Sequence, residues 1–275
     1  MPRSPLSGAP ARRHWPLAPL NEPVREWNAR RVWIVGASSG IGAALARQLA
    51  ARGARLALSA RRAAPLHEML AHAHAPALVL PLDVTDADAV AAAAARIEAE
   101  WGGVDLVVWL AARYTPMRAQ DFDLAQARSM LDANLAGVLN GLGAVIPLLV
   151  RQGHGGVALV ASVAGYRGLP KSLAYGPTKA ALINLAESLY LDLQPEGIGV
   201  WLVYPGFVDT PMTAANDFPM PALVDPDQAA GAIIEGLRKG RFEIHFPKRF
   251  TLWMRLLRVL PQRLYFAVVR RFTGL

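Results

Sequence analysis

Tyr175 and Lys179 stand four residues apart in the segment Ser172-Leu-Ala-Tyr-Gly-Pro-Thr-Lys-Ala, at the start of a stretch that reads as helix. That spacing stacks both side chains on one helix face. A phenol near its ordinary pKa of about 10 is a reluctant acid or base at neutral pH, and a neighbouring ammonium favours the phenolate and brings that value down. Such a pair can pass a proton to or from an oxygen held beside it. Taken alone it is uninformative, because Tyr and Lys at this spacing also make an ordinary solvated face. Further polar groups sit at strand ends or in a long helical stretch. Thirteen residues before Tyr175 an apolar run ends in Ser162-Val-Ala-Gly, Asn134 lies in Asp132-Ala-Asn-Leu-Ala-Gly, and a later run ends in Tyr204-Pro205-Gly206-Phe-Val-Asp-Thr210. His67, His72 and His74 cluster too, but without carboxylates at ligand spacing they read as a solvated helix face, and no metal is expected.

A second constellation binds rather than reacts. The run Arg31 to Val35 leads into Gly36-Ala37-Ser38-Ser39-Gly40-Ile41-Gly42 and then an alanine-rich helix. Glycines there permit the tight turn, the close approach of a pyrophosphate, and close packing of helix on strand, while the helix N-terminus offers its positive dipole end to phosphate. The next strand ends Leu58-Ser59-Ala60-Arg61-Arg62, with no Asp or Glu to grip a ribose 2′-hydroxyl. Arg61 and Arg62 suit a 2′-phosphate instead, which favours NADP(H) over NAD(H). Two solvated surface arginines are the bland alternative.

The elements that must position these groups follow from the alternation of Val/Ile/Leu-rich runs with longer helical stretches. Strands are expected at about 31–36, 54–59, 77–82, 104–110, 156–161, 198–204 and 242–246. Helices are expected at about 40–52, 65–73, 86–101, 121–151, 173–195 and 226–239. Continuous rather than alternating apolar strands imply a parallel sheet covered on both faces, so the fold class is α/β, a doubly wound Rossmann-type sheet. Residues 1–30, with six prolines, read as an extended or partly disordered leader, 31–246 as the catalytic domain, and 247–275 as two short amphipathic helices parted at Pro261.

With these elements in order, residues 31–246 closely resemble the short-chain dehydrogenase/reductase family: Gly-x3-Gly-x-Gly loop, Asn, Ser, Tyr-x3-Lys and Pro-Gly all occur in its sequence and spacing. The resemblance implies roles. Tyr175 is the general acid toward a carbonyl or base toward an alcohol, and Ser162 bonds the same oxygen. Lys179 holds the nicotinamide ribose and depresses the Tyr175 pKa, while Asn134 positions a water that relays protons to it. Cofactor contacts fall to Gly36, Ser38, Ser39, Gly40, Ile41, Gly42, Asp83, Val84, Ala111, Tyr175, Lys179, Pro205, Gly206, Val208 and Thr210. Two departures stand out: Val35 where the family usually has Thr, and Trp109-Leu110-Ala111-Ala112 where it usually has Asn-Asn-Ala-Gly. The implied assembly is a homodimer or homotetramer through the two long helices.

Composition narrows the rest. The chain has 275 residues, 53% of them hydrophobic, and no cysteine, which excludes a disulfide framework and thiolate chemistry and suits a reducing cytoplasm. Neither a transmembrane helix nor a cleavable signal is expected. The net charge of +8 divides unevenly, with +4 on residues 1–31 and +7 on residues 245–275, leaving −3 between, so no nucleic-acid partner is expected on the folded module. The basic, aromatic tail can lie in an anionic membrane surface, or pack on its own subunit or a dimer mate and roof the pocket. Phe207, Met212, Phe218, Met220 and Leu223, with Tyr166 and Leu169, are expected to make a mostly apolar pocket, hence a small lipophilic carbonyl or alcohol as substrate. A non-catalytic dinucleotide sensor is the alternative, and the Asn134, Ser162, Tyr175, Lys179 set argues against it.

Overall fold

Runs such as Arg31-Val-Trp-Ile-Val and Leu106-Val-Val-Trp offer apolar side chains to both sides of a strand, so each must be covered twice. The computed structural model describes residues 18–70 and 77–273. Seven strands, β1 (Arg31–Val35), β2 (Arg55–Ser59), β3 (Ala77–Val79), β4 (Leu106–Trp109), β5 (Gly156–Val160), β6 (Gly199–Pro205) and β7 (Glu243–Phe246), form one parallel sheet in the order β3-β2-β1-β4-β5-β6-β7. Side chains alternate between two cores. Trp33, Val107, Leu159 and Leu202 face one, with α3 (Ala87–Trp101), α5 (Gly137–Gln152) and α6 (Tyr175–Leu193). Ile34, Val108, Ala158 and Val203 face the other, with α1 (Gly40–Ala50) and α7 (Pro226–Arg238). Strand order reverses between β1 and β4, which opens a crevice at the carboxyl ends of those strands.

Four expectations change. The helix read over 121–151 is α4 (Leu124–Leu131), a π turn (Asp132–Ala136) and α5, so the helix registers before and after Asn134 differ. By length and apolarity alone Leu124–Gln152 could cross a bilayer, against the expectation from its apolar runs, but Val138, Leu142, Val145 and Leu149 are buried in the core and account for that character. The strand read over 77–82 is regular only over Ala77–Val79, although Leu80 and Leu82 still donate to Leu58 and Ala60. The helix read over 65–73 is α2 (Ala64–Leu70), and its continuation, with His72 and His74, lies outside the described residues; His67 is exposed on α2.

Residues 18–30 are extended and pinned. The Asn21 side chain donates to the Val200 carbonyl (2.7 Å) and accepts from its N–H (2.9 Å), and Val24 and Trp27 are buried. The tail forms α8 (Lys248–Val259) and α9 (Gln262–Thr273), folded back on the body. Arg167 lies 3.9 Å over the Tyr265 ring and donates to Leu260 O (2.7 Å), and the Tyr265 hydroxyl donates to Gly168 O (2.6 Å).

Candidate active site

A cleft of about 740 Å³ opens at the carboxyl ends of β1 and β4. It is lined by Gly36, Ser38, Ser39, Gly40, Ile41 and Gly42 from the turn after β1, by Arg61, Asp83, Val84 and Ala111, by Ser162, Tyr175 and Lys179, and by Pro205, Gly206, Val208 and Thr210. Widely separated segments thus meet at one crevice because every strand ends on the same edge. Arg62 and Asn134 are outside that lining. Arg61 and Arg62 are both exposed, and of the two Arg61 lines the cleft.

The glycine turn fits a diphosphate. Gly36 has φ +96°, and a Cβ there would lie 2.5 Å from the Ala111 nitrogen, so the turn is seated directly on the strand next door. Ser39 caps α1 in extended geometry but makes no side-chain cap bond, and the first turn holds no acid. The N–H groups of α1 therefore face the cleft with their dipole uncompensated, the arrangement that receives an anion. At the far end Arg61 lies near Asp83, whose carboxyl is held below its usual range by the Thr85 N–H and hydroxyl, with the Arg61 charge adding to the effect. These residues fit a dinucleotide.

Tyr175 opens α6, half-buried at the cleft, and Lys179 follows one turn later, buried. The Lys179 amine lies 5.5 Å from the Tyr175 ring centre and donates to Val160 O (2.9 Å). Burial pushes the Lys179 pKa down to about 7, and burial pushes Tyr175 above its ordinary value, opposed by the Ser162 hydroxyl. The expected depression of the phenol by the ammonium is not what the geometry gives. A dry surrounding penalises the phenolate and the ammonium alike. Ser162 Oγ accepts from the Ala164 N–H (3.1 Å), which leaves the hydroxyl hydrogen to donate elsewhere.

Asn134 is fully buried, and its side chain is spoken for. Oδ1 accepts from Arg113 N (2.6 Å), while Nδ2 donates to Arg113 O (2.9 Å) and Thr178 Oγ1 (3.2 Å). Both amide hydrogens are used and one Oδ1 lone pair remains to accept, so the side chain ties the loop after β4 to α6. Thr178 completes the tie by donating to Tyr175 O (2.7 Å). Its place inside the Tyr-x3-Lys segment was the available signal. Tyr114 had none: a loop residue, it meets the Tyr175 ring edge-on at 4.9 Å and donates to Asn216 Oδ1 (2.8 Å).

The pocket differs from the expected apolar one. Met212 lines the cleft together with Leu110, Ala112 and the exposed Arg113. Tyr166 does not, being buried against Tyr204 (4.7 Å) with Arg258 over its ring. Phe207 packs between Phe218 (6.0 Å) and Phe250 (5.4 Å). Trp109, in place of the family's polar residue, is buried with its indole N–H unpartnered. Its ring fills the space where a Cβ on Gly141 would be 2.0 Å away.

Comparison with known proteins agrees with this geometry. Residues 30–219 match the family model described as short chain dehydrogenase. An uncharacterized oxidoreductase of Myxococcus xanthus is 37% identical over 249 residues, covering 90% of this chain and 98% of that protein. One of Staphylococcus epidermidis is 33% identical over 204 residues, covering 74% and 89%. Among solved structures, a short-chain dehydrogenase from Streptomyces avermitilis superposes with TM-score 0.75 at 28% identity, covering 82% of this chain and 91% of that one. One from Burkholderia cenocepacia, in complex with NADP, gives 0.78 at 24% identity, covering 89% and 98%.

Proposed function

The chain belongs to the short-chain dehydrogenase family of oxidoreductases, and from that premise we propose that it is an NADP(H)-dependent enzyme interconverting a lipophilic ketone or aldehyde and its alcohol, with Tyr175 as proton donor or acceptor. The observation that carries the reading is the meeting of Tyr175, Ser162 and Lys179 in one cleft with the glycine turn. The bound dinucleotide supplies the hydride.

The chain's own residues do the rest. Burial keeps the Tyr175 phenol protonated well past neutrality, ready to donate to an oxygen that is gaining charge. Ser162, which accepts from the Ala164 N–H, aims its own hydrogen as a second donor at the same oxygen. Lys179 spends one donor on Val160 O and keeps its remaining N–H for the ribose hydroxyls. Asn134 and Thr178 act one step removed, fixing α6 against the loop that carries Arg113 and Tyr114. Arg61 favours the 2′-phosphate, since β2 ends without a carboxylate to meet a free 2′-hydroxyl. Met212, with Leu110 and Ala112 in the cleft lining, favours a lipophilic substrate.

A panel of ketones and aldehydes, assayed with NADPH and NADH, tests this. Wild type is expected to oxidise NADPH preferentially, and Tyr175→Phe to lose about 100-fold or more in kcat while binding NADPH unchanged. A phenylalanine variant as active as wild type would refute the assignment.

A further inference from the structure

Helices α8 and α9 carry more apolar surface than the body covers. The inward face of α8 is used in packing: Thr251 and Met254 are buried and Phe250 meets Phe207. On its other side Leu252, Leu256 and Val259 recur at i, i+4 and i+7, a single stripe, all exposed, with Trp253 beside it at 64% exposure. On α9 Tyr265 is buried whereas Leu264 and Phe266 are exposed. Arg167 fixes the two helices together by donating to Leu257 O (3.3 Å) and Leu260 O (2.7 Å) while stacking on Tyr265, so the outer face is preformed.

The charges on this block are just as one-sided. From residue 245 to the end there are seven basic residues and no acid. Arg255 pairs with Glu243 (2.7 Å) and Arg258 lies over Tyr166, but Lys248, Arg249, Arg263, Arg270 and Arg271 form no ion pair among the described residues.

We infer that the outer face of α8 and α9 is a docking surface for an anionic lipid bilayer. Leu252, Trp253, Leu256, Val259 and Phe266 enter the interfacial region, and the unpaired cations lie at headgroup level. Charge complementarity selects this occupant. A second copy seated face to face would press like charges together, and a nucleic acid would engage the cations but leave the aliphatic stripe in water. Turned this way, the inner face of α8 keeps Phe250 on Phe207 about one helix diameter, roughly 10 Å, from the headgroups. Docking does not depend on the proposed reaction, and Tyr175→Phe is expected to bind vesicles as wild type does.

The test is cosedimentation of the full chain with vesicles of phosphatidylcholine alone and of phosphatidylcholine mixed with phosphatidylglycerol, at low and high salt, alongside light scattering without lipid. Wild type should bind only the mixed vesicles and release at high salt. Leu252→Ser/Leu256→Ser, both at exposed positions, should weaken binding at least tenfold. Arg249→Gln and Arg263→Gln should each weaken it roughly fivefold. Failure to sediment with either vesicle, equal binding by wild type and the serine variant, a dimer abolished by the serine variant, or tighter binding to an oligonucleotide than to vesicles would each overturn the inference.

Discussion

Lys179 costs the folded protein something that it recovers only at higher pH. Its pKa falls to about 7 on burial from an ordinary value near 10.5, so between those values the unfolded chain holds a proton that the folded chain has released. Stability of the cofactor-free protein must rise with pH wherever the unfolded state binds more protons. Tyr175 works in the opposite sense above about pH 10, because its raised pKa keeps a proton that the unfolded chain loses. Thermal melts between pH 7 and 9.5 are therefore expected to show a rising Tm in wild type and a nearly flat one in Lys179→Met. Parallel curves for the two proteins would show that Lys179 is charged throughout. The arginines at the end of β2 make a second prediction at this scale. Arg61 lines the cleft and Arg62 does not, so Arg61→Ala should raise the Kd for NADPH about tenfold or more and leave NADH unaffected, while Arg62→Ala changes neither. Isothermal titration with both dinucleotides distinguishes them, and equal losses for the two variants would mean that the cleft geometry misplaces the phosphate.

At the scale of elements, the contact between β4 and α5 shows how this chain accommodates its departure from the family. Trp109 pushes a large ring into α5, and Gly141 makes room for it with no side chain of its own. Gly141→Ala is expected to cost about 1–3 kcal/mol through overpacking, and Trp109→Leu a similar amount through the space it empties. Together they should cost clearly less than the sum, because the smaller side chain leaves space for the new methyl. Additive losses in urea denaturation would show that the ring and the helix do not share that space. Neither side of this contact was readable in advance. Trp109 appeared in the sequence as a lost polar residue, and Gly141 as one glycine among many. The strands were legible because β1, β4, β5 and β6 are unbroken apolar runs, which only a sheet covered on both faces accommodates. The π turn at Asp132–Ala136 was not, since the apolar pattern of α4 continues through it into α5. Tyr175, Lys179 and Ser162 could be read from motif spacing. The Tyr114 contact could not, because it depends on where a loop lands after the sheet has formed.

For the whole molecule, the segment before β1 works as a strap across the end of the sheet opposite the cleft. The Tyr190 hydroxyl of α6 donates to Leu20 O, Asn21 N donates to Gly240 O after α7, Val24 N donates to Leu237 O, and Ala29 N donates to Gly53 O before β2. Asn21 also takes the place of a neighbouring strand for Val200, where β7 has not yet begun to pair with β6. Polar and proline-rich, this stretch gave no periodic signal, and its order comes from partners far along the chain. Asn21→Ala leaves the buried N–H and C=O of Val200 without partners, at about 1–3 kcal/mol, and Trp27→Ala empties a core position at about 3–5 kcal/mol. The two faces of the sheet share one chain, so either change should lower the Tm of the whole protein by several degrees in a single transition. Because the strap sits at the amino ends of the strands, NADPH affinity and kcat measured well below the transition should stay at wild-type values. A loss of cofactor binding at low temperature, with Tm unchanged, would place the strap in the site rather than beneath it.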